Sequence, residues 1–193
     1  MVTSALEEVE LLSDALTRLD PPHGVLAVLG NHEYHSRSTY DVAGFLRRHG
    51  VEVLLNGGQR LERDGASLWI GGIDDWLNGQ PDVDSALAGR RADEPTLLLS
   101  HNPDAFPDAA RAKVDLTLSG HTHGGQIRLL GWAPITNSRL RYCSGFYRDG
   151  SSSLYIGRGA GTTVLPIRIG SKPEVPFVTL RDAGADDGTD RQG

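Results

Sequence analysis

The chain has 193 residues, of which 38% are hydrophobic and 23% charged, with a formal net charge of -6 and a single cysteine. That length and balance suit one globular domain with its own core. The acidic balance argues against binding to nucleic-acid backbones, no apolar run is long enough to span a bilayer, and the lone Cys143 excludes an internal disulfide or a cysteine-based zinc site.

Ser4 is placed to cap a first helix, with Glu7 completing a capping box, and Leu6, Val9, Leu12, Leu16 and Leu19 recur at helical spacing. Asp20-Pro21-Pro22 ends that helix. Val25–Leu29 reads as a buried strand that runs into Gly30-Asn31-His32-Glu33. Ser38 opens a second helix over Thr39–His49, closed by Gly50. Val51–Leu55 and Arg60–Arg63 read as strands joined in a hairpin through Asn56-Gly57-Gly58, and Asp64-Gly65 turns the chain into Ser67–Ile73. Asp82–Leu87 reads as a short helix. Thr96–Ser100 and Asp115–Ser119 read as strands on either side of a helical segment near Ala105–Ala112. Past His123 the pattern predicts strands over Gln126–Leu130, Ser153–Gly157 and Phe177–Leu180. A single domain over residues 1–181 is expected, followed by a disordered acidic tail over 182–193. The opening residues are acidic and helix-patterned, unlike a signal peptide, and the compartment stays open.

Three segments carry the chemistry: Gly30-Asn31-His32-Glu33, Ser100-His101 and Gly120-His121-Thr122-His123-Gly124-Gly125. Each follows a short apolar run, so each falls at a strand end, where open α/β sheets place their sites. In an extended segment His121 and His123 would point the same way and could face one centre; the competing reading is a polar turn with exposed histidines. His101 alone reads equally as a satisfied sheet-end histidine. Asn31 offers an amide oxygen suited to a hard divalent ion, and also reads as a turn asparagine beside Gly30. Asp74-Asp75 reads first as a helix cap or loop turn, and second as a contact to substrate or to a histidine. His23, His35 and His49 are expected at the surface without partners. Arg158 and Arg168 have the fork geometry for phosphate, or serve as structural arginines. Trp69, Trp76 and Trp132 read as packing or rim residues, ahead of a base-stacking platform. There is no G-x-S-x-G elbow, P-loop or dinucleotide fingerprint, and a cupin-like site would need a histidine after His123, where none occurs.

In this order, G-N-H-E, a histidine after a strand and G-H-T-H resemble the calcineurin-like metallophosphoesterase family, in its bacterial branch of membrane-associated or exported phosphodiesterases. Gly124-Gly125-Gln126-Ile127, Gly157-Arg158-Gly159-Ala160-Gly161-Thr162, Pro166-Ile167-Arg168 and Pro173-Glu174 extend the likeness, which covers Val2 to Leu180. The resemblance implies an α/β layered fold of two packed mixed β-sheets flanked by helices. It implies hydrolysis of a phosphate ester, phosphodiester or pyrophosphate at a dinuclear centre of Mn, Fe, Zn or Mg ions. It places Asn31, His101 and His121 on the second metal and His123 on the first. His32 would bind substrate phosphate and protonate the leaving oxygen, with Glu33 orienting its neighbours. The implied substrate is a phosphorylated small molecule or a lipid-linked one such as UDP-2,3-diacylglucosamine. The family's earlier D-x-H and G-D-x-x-D elements do not occur ahead of Gly30. The expectation is therefore an N-terminally truncated member that lacks the first strands and holds at most one ion, with any membrane attachment residing in the missing segment. The alternative is an inactive fragment or pseudoenzyme whose partial metal site acts as a binding module.

Overall fold

The computed structural model describes residues 12–35, 39–130 and 132–181. The elements are α1 (Ser13–Leu16), β1 (Val25–Ala27), α2 (Asn31–His35), α3 (Thr39–Arg48), β2 (Val51–Val53), β3 (Gly57–Arg63), β4 (Ala66–Gly72), α4 (Val83–Leu87), β5 (Thr96–Leu99), α5 (Phe106–Arg111), β6 (Leu116–Ser119), β7 (Gly145–Asp149) and β8 (Ser152–Ile156). Single 3₁₀ turns cover Pro103–Ala105 and His123–Gly125. The fold is α/β. A six-stranded mixed sheet runs in the order β3-β4-β5-β6-β8-β7, and β1 and β2 form a smaller parallel pair. The expected caps at Ser4 and Ser38 and the tail over 182–193 lie outside the described residues.

In the large sheet β4, β5, β6 and β8 are parallel, with β3 and β7 antiparallel at the edges. Burial alternates along β5 and β8 with the period of two that a pleated strand imposes. Leu98, Leu154 and Ile156 therefore point to one face, where they pack with Trp69, Ala86, Leu87, Phe106, Ala109 and Val114 beneath α4 and α5. A second cluster, Leu29, Val42, Ala43 and Val53, joins α3 to the small sheet. The sheets meet at Gly72, where a methyl group would stand 2.5 Å from Leu54 Cβ and 2.8 Å from Val28 Cγ1, so only glycine allows the approach.

Four local expectations need correction. Asn56-Gly57-Gly58 closes no hairpin: β2 pairs with β1, and β3 pairs with β4. Asn56, at φ 52°, instead carries the chain from one sheet to the other, and its Oδ1 accepts from Asp74 N and Asp82 N. The true hairpin turns at Asp64-Gly65, both with positive φ as a two-residue type I′ loop requires. Gln126–Leu130 is not a strand, because left-handed backbone at Gln126 and Leu130 confines its pairing to the single bridges Ile127–Ile169 and Leu129–Trp132. Phe177–Leu180 forms no strand, and the Phe177 side chain is exposed. His49 is half-buried and partnered, not a solitary surface residue: its ring bonds Ser13 Oγ at 2.8 Å and Phe45 O at 2.9 Å, tying α1 to α3. Among the described residues no helix is long and apolar enough to cross a membrane.

Candidate metal centre

β5 and β6 are adjacent and parallel, so their C-terminal ends share one edge of the sheet. His101 lies two residues beyond β5 and His121 two beyond β6. Their backbones are tied by Gly120 N donating to His101 O at 3.1 Å. Asn31 opens α2 four residues past the end of β1, and Glu33 Oε2 accepts from Gly30 N at 2.7 Å to hold that turn. Gly30 has no room for a side chain. A Cβ there would stand 2.7 Å from three ring atoms of His101.

These constraints bring three side chains to one point. His101 Nε2 lies 3.0 Å from Asn31 Oδ1 and 3.1 Å from His121 Nδ1. One imidazole nitrogen holds either one proton or one lone pair, so it satisfies at most one of these neighbours by a hydrogen bond. The spacing has a different explanation in coordination geometry. Two ligands about 2.1 Å from one cation stand about 3.0 Å apart at a right angle and about 3.4 Å apart at the tetrahedral angle. The His121 Nε2 atom is buried and makes no hydrogen bond among the described residues. Among the described residues no three His, Cys, Asp or Glu side chains form a metal-binding group; the converging set is two histidines and an asparagine amide.

Burial holds the imidazoles neutral. The His101 pKa is pushed down to about 3, first by burial and then by the neighbouring His121, His32 and His123. His121 is also lowered, chiefly by burial, and the Asn137 backbone and then the charges of Asp75 and Asp104 partly oppose that shift. His123 is lowered by burial and by Arg168, against the raising effect of the Gly161 carbonyl. A neutral imidazole keeps its lone pair, the form that ligates a cation.

A cavity of about 390 Å³ opens over the set, lined by Asn31, His32, His101, His121 and His123 together with Leu77, Asn137, Thr163 and Val164. His32 is exposed on its wall. His123 lines the same cavity, and its Nδ1 faces Gly161 O at 3.4 Å. The expected extended geometry of His121 and His123 is replaced by left-handed turns at φ 65° and 51°, continued by Gly124 and Gly125. Non-glycine residues in that region are uncommon and tend to cluster at functional sites.

Sequence reasoning missed Leu77, Asn137, Thr163 and Val164, which come from loops with no local motif. The anchors of those loops are polar. Buried Asp104 accepts from Ser138 Oγ, Arg139 N and Leu140 N, which fixes the segment after Asn137. Gln126 bonds Thr163 N and the carbonyls of Thr163 and Leu165. Asp74 and Asp75 both cap loops, and the charge of Asp75 also acts on His121. Asp74 accepts from Tyr34 Oη and Gln80 N, and Asp75 Oδ2 from Leu77 N and Asn78 N. Arg158 pairs with Glu174 at 2.5 Å.

No family model matches the chain. An uncharacterized metallophosphoesterase of Bacillus subtilis, YkuE, is 37% identical over 86% of this chain and 59% of its own length. An uncharacterized metallophosphoesterase of Helicobacter pylori is 30% identical over 93% of this chain and 49% of its own. A bovine transmembrane protein with a metallophosphoesterase domain is 32% identical over 83% of this chain and 39% of its own. The chain thus spans about half the length of these curated relatives. Among solved structures, the sulfate thiohydrolase SoxB of Thermus thermophilus superposes with a TM-score of 0.50 at 18% identity, over 79% of this chain and 31% of SoxB, which is a likeness of fold alone.

Proposed function

Because this chain belongs to the metallophosphoesterase family, we propose that it hydrolyses a phosphate ester, phosphodiester or pyrophosphate with a divalent cation held by Asn31, His101 and His121. The observation that carries this reading is the convergence of Asn31 Oδ1, His101 Nε2 and His121 Nδ1 at 3.0 and 3.1 Å, a spacing that fits cation ligands and overfills a single hydrogen bond. When bound, the ion supplies Lewis acidity toward a phosphoryl oxygen.

The protein's own residues do the rest. Asn31, His101 and His121 present neutral donors without protons to lose, since burial holds the two imidazoles neutral. His123 offers one further nitrogen on the same wall, at a second position. His32 follows Asn31 at the exposed rim of the cavity, and we assign it the protonation of the departing oxygen. Leu77 and Val164 give the wall an apolar side, and Asn137 and Thr163 offer polar groups to substrate. A substrate larger than the phosphate itself, small or lipid-linked, would extend past Thr163 and Val164. The bovine relative is named a transmembrane protein with a metallophosphoesterase domain.

A second reading is a metal-binding module without turnover. It is favoured by the lack of any carboxylate in the converging set among the described residues. One experiment separates the two. Calorimetric titration of Mn²⁺ into the wild-type chain and into His101→Ala is followed by turnover of bis-p-nitrophenyl phosphate. One ion in the wild type, weakened binding in His101→Ala and metal-dependent release of nitrophenol support the enzyme. Binding without release supports the module. Equal binding by both proteins overturns the site.

A further inference from the structure

Arg168 lies 45 residues from His123 in sequence and wraps the turn that carries it. Its Nε donates to Gly161 O at 2.8 Å. Its Nη1 donates to His123 O at 3.2 Å and to Ser171 O at 3.4 Å. Its Nη2 donates to Arg158 O at 2.9 Å and to Gly159 O at 3.1 Å, and it also contacts Gly161 O. A guanidinium has five N–H groups and no acceptor. Five carbonyls make six contacts with the fork, Gly161 O being reached from both Nε and Nη2, so together they occupy all of its N–H groups. The sixth neighbour of the fork is His123 Nδ1, 3.4 Å from Nη2. No proton of Arg168 remains for it. The other neighbour of Nδ1 is Gly161 O, which can only accept.

From this count we infer that Arg168 is a positioning residue that fixes His123 as its Nδ1–H tautomer, leaving Nε2 as the lone-pair nitrogen for a cation. Nδ1 carries the proton and donates it to Gly161 O. The same fork, with Ser171 Oγ donating to His123 O at 2.9 Å, holds the left-handed turn at His123. Gly124 next to it would place a Cβ 2.5 Å from Arg158 Cγ and 2.6 Å from Ser171 Oγ, so the turn cannot slide toward these anchors. Orientation of a ligating imidazole by a backbone carbonyl on its other nitrogen is a general device of metal sites. Here the carbonyl is itself held in place by an arginine. Arg168 is thus spent on the backbone and does not serve as the phosphate clamp that its residue type suggested.

The use of the Nε2 lone pair rests on the proposed cation site, but the tautomer does not. Long-range ¹H–¹⁵N correlation on ¹⁵N-histidine-labelled, metal-free wild type near pH 7.5, with His123→Gln to assign the signal, should give the Nδ1–H pattern for His123. An Nε2–H pattern overturns the inference, and this measurement needs no variant of Arg168. Arg168→Ala should move His123 toward the Nε2–H form and weaken the Zn²⁺-induced shift of its Nε2 signal, by about 10- to 100-fold in apparent affinity. Arg168→Lys keeps the charge but offers three donors in place of five, so it should behave like the alanine variant. Wild-type tautomer and wild-type Zn²⁺ response in both variants would refute the role of Arg168. If Zn²⁺ shifts no histidine in the wild type, the metal reading fails, while the tautomer result still decides this inference.

Discussion

Gly30→Ala is a sensitive probe of the site, because the three atoms nearest the added methyl group all belong to the His101 ring. The new Cβ would lie 2.7 Å from three ring atoms. Ordinary carbon contacts are about 3.5–4.0 Å, so the ring must retreat by roughly 1 Å. Gly30 is not among the residues with left-handed backbone, so the effect is one of space and not of φ. His101 cannot retreat and still keep Nε2 at 3.0 Å from Asn31 Oδ1 and 3.1 Å from His121 Nδ1. Overpacking of this kind costs about 1–3 kcal/mol. The displaced donor should weaken divalent-ion binding by at least about 10-fold, in line with disturbed ligand orientation elsewhere. Gly120→Ala is the matched control, since nothing stands within 4 Å of its Cβ. Urea unfolding and Mn²⁺ calorimetry on the two variants should give a destabilised, weakly binding Gly30→Ala and a Gly120→Ala within about 0.5 kcal/mol of wild type. Unchanged Mn²⁺ affinity in Gly30→Ala would refute the claim that the position of His101 matters for the ion.

His32→Ala should lower turnover of bis-p-nitrophenyl phosphate by about 10²-fold or more while metal content stays constant; loss of bound metal measured by elemental analysis would make His32 a ligand instead. For His101, whose folded pKa of about 3 lies below the unfolded value, the unfolded chain binds more protons between those values. Stability of the metal-free protein is thus full above about pH 6.5 and falls as pH drops, on the order of 3 kcal/mol by pH 4, with His121 and His123 shifting in the same sense. Urea midpoints at pH 7.5 and pH 4.5 measure this, and saturating Mn²⁺ at pH 6 should raise the midpoint. Glu94 is held down to about 2, first by its hydrogen bond from Arg60 at 2.6 Å, so its contribution is present above about pH 4.5 and is lost as pH falls toward 2. Glu94→Gln should lower the thermal midpoint at pH 7 and flatten that part of the acid limb, and an unchanged acid limb would speak against the pair.

Much of the site was legible because its residues punctuate the ends of apolar runs. Leu97-Leu98-Leu99 before His101 and Leu116-Thr117-Leu118 before His121 are buried parallel strands, and neighbouring parallel strands must deliver their ends to one edge. Illegible were the contacts set by long-range closure. Asn56-Gly57-Gly58 has the composition of a hairpin turn, yet β2 finds a parallel partner in β1, so the turn changes sheets. The hairpin at Gly150, with aromatic Phe146 and Tyr147 on β7, was signalled by Asp149-Gly150 but passed over. Asn137, Thr163 and Val164 reach the cavity only because Asp104 and Gln126 pin their loops, and no local pattern announces such anchors. Arg168 has a residue type suited to phosphate, and only the five carbonyls around it reassign it to the backbone.

The most direct test is a crystal of this chain soaked in Mn²⁺, with the anomalous difference map recorded. The account predicts one strong peak about 2.0–2.4 Å from each of Asn31 Oδ1, His101 Nε2 and His121 Nδ1. A map without a peak at these three atoms, or with its peak on other residues, would contradict it.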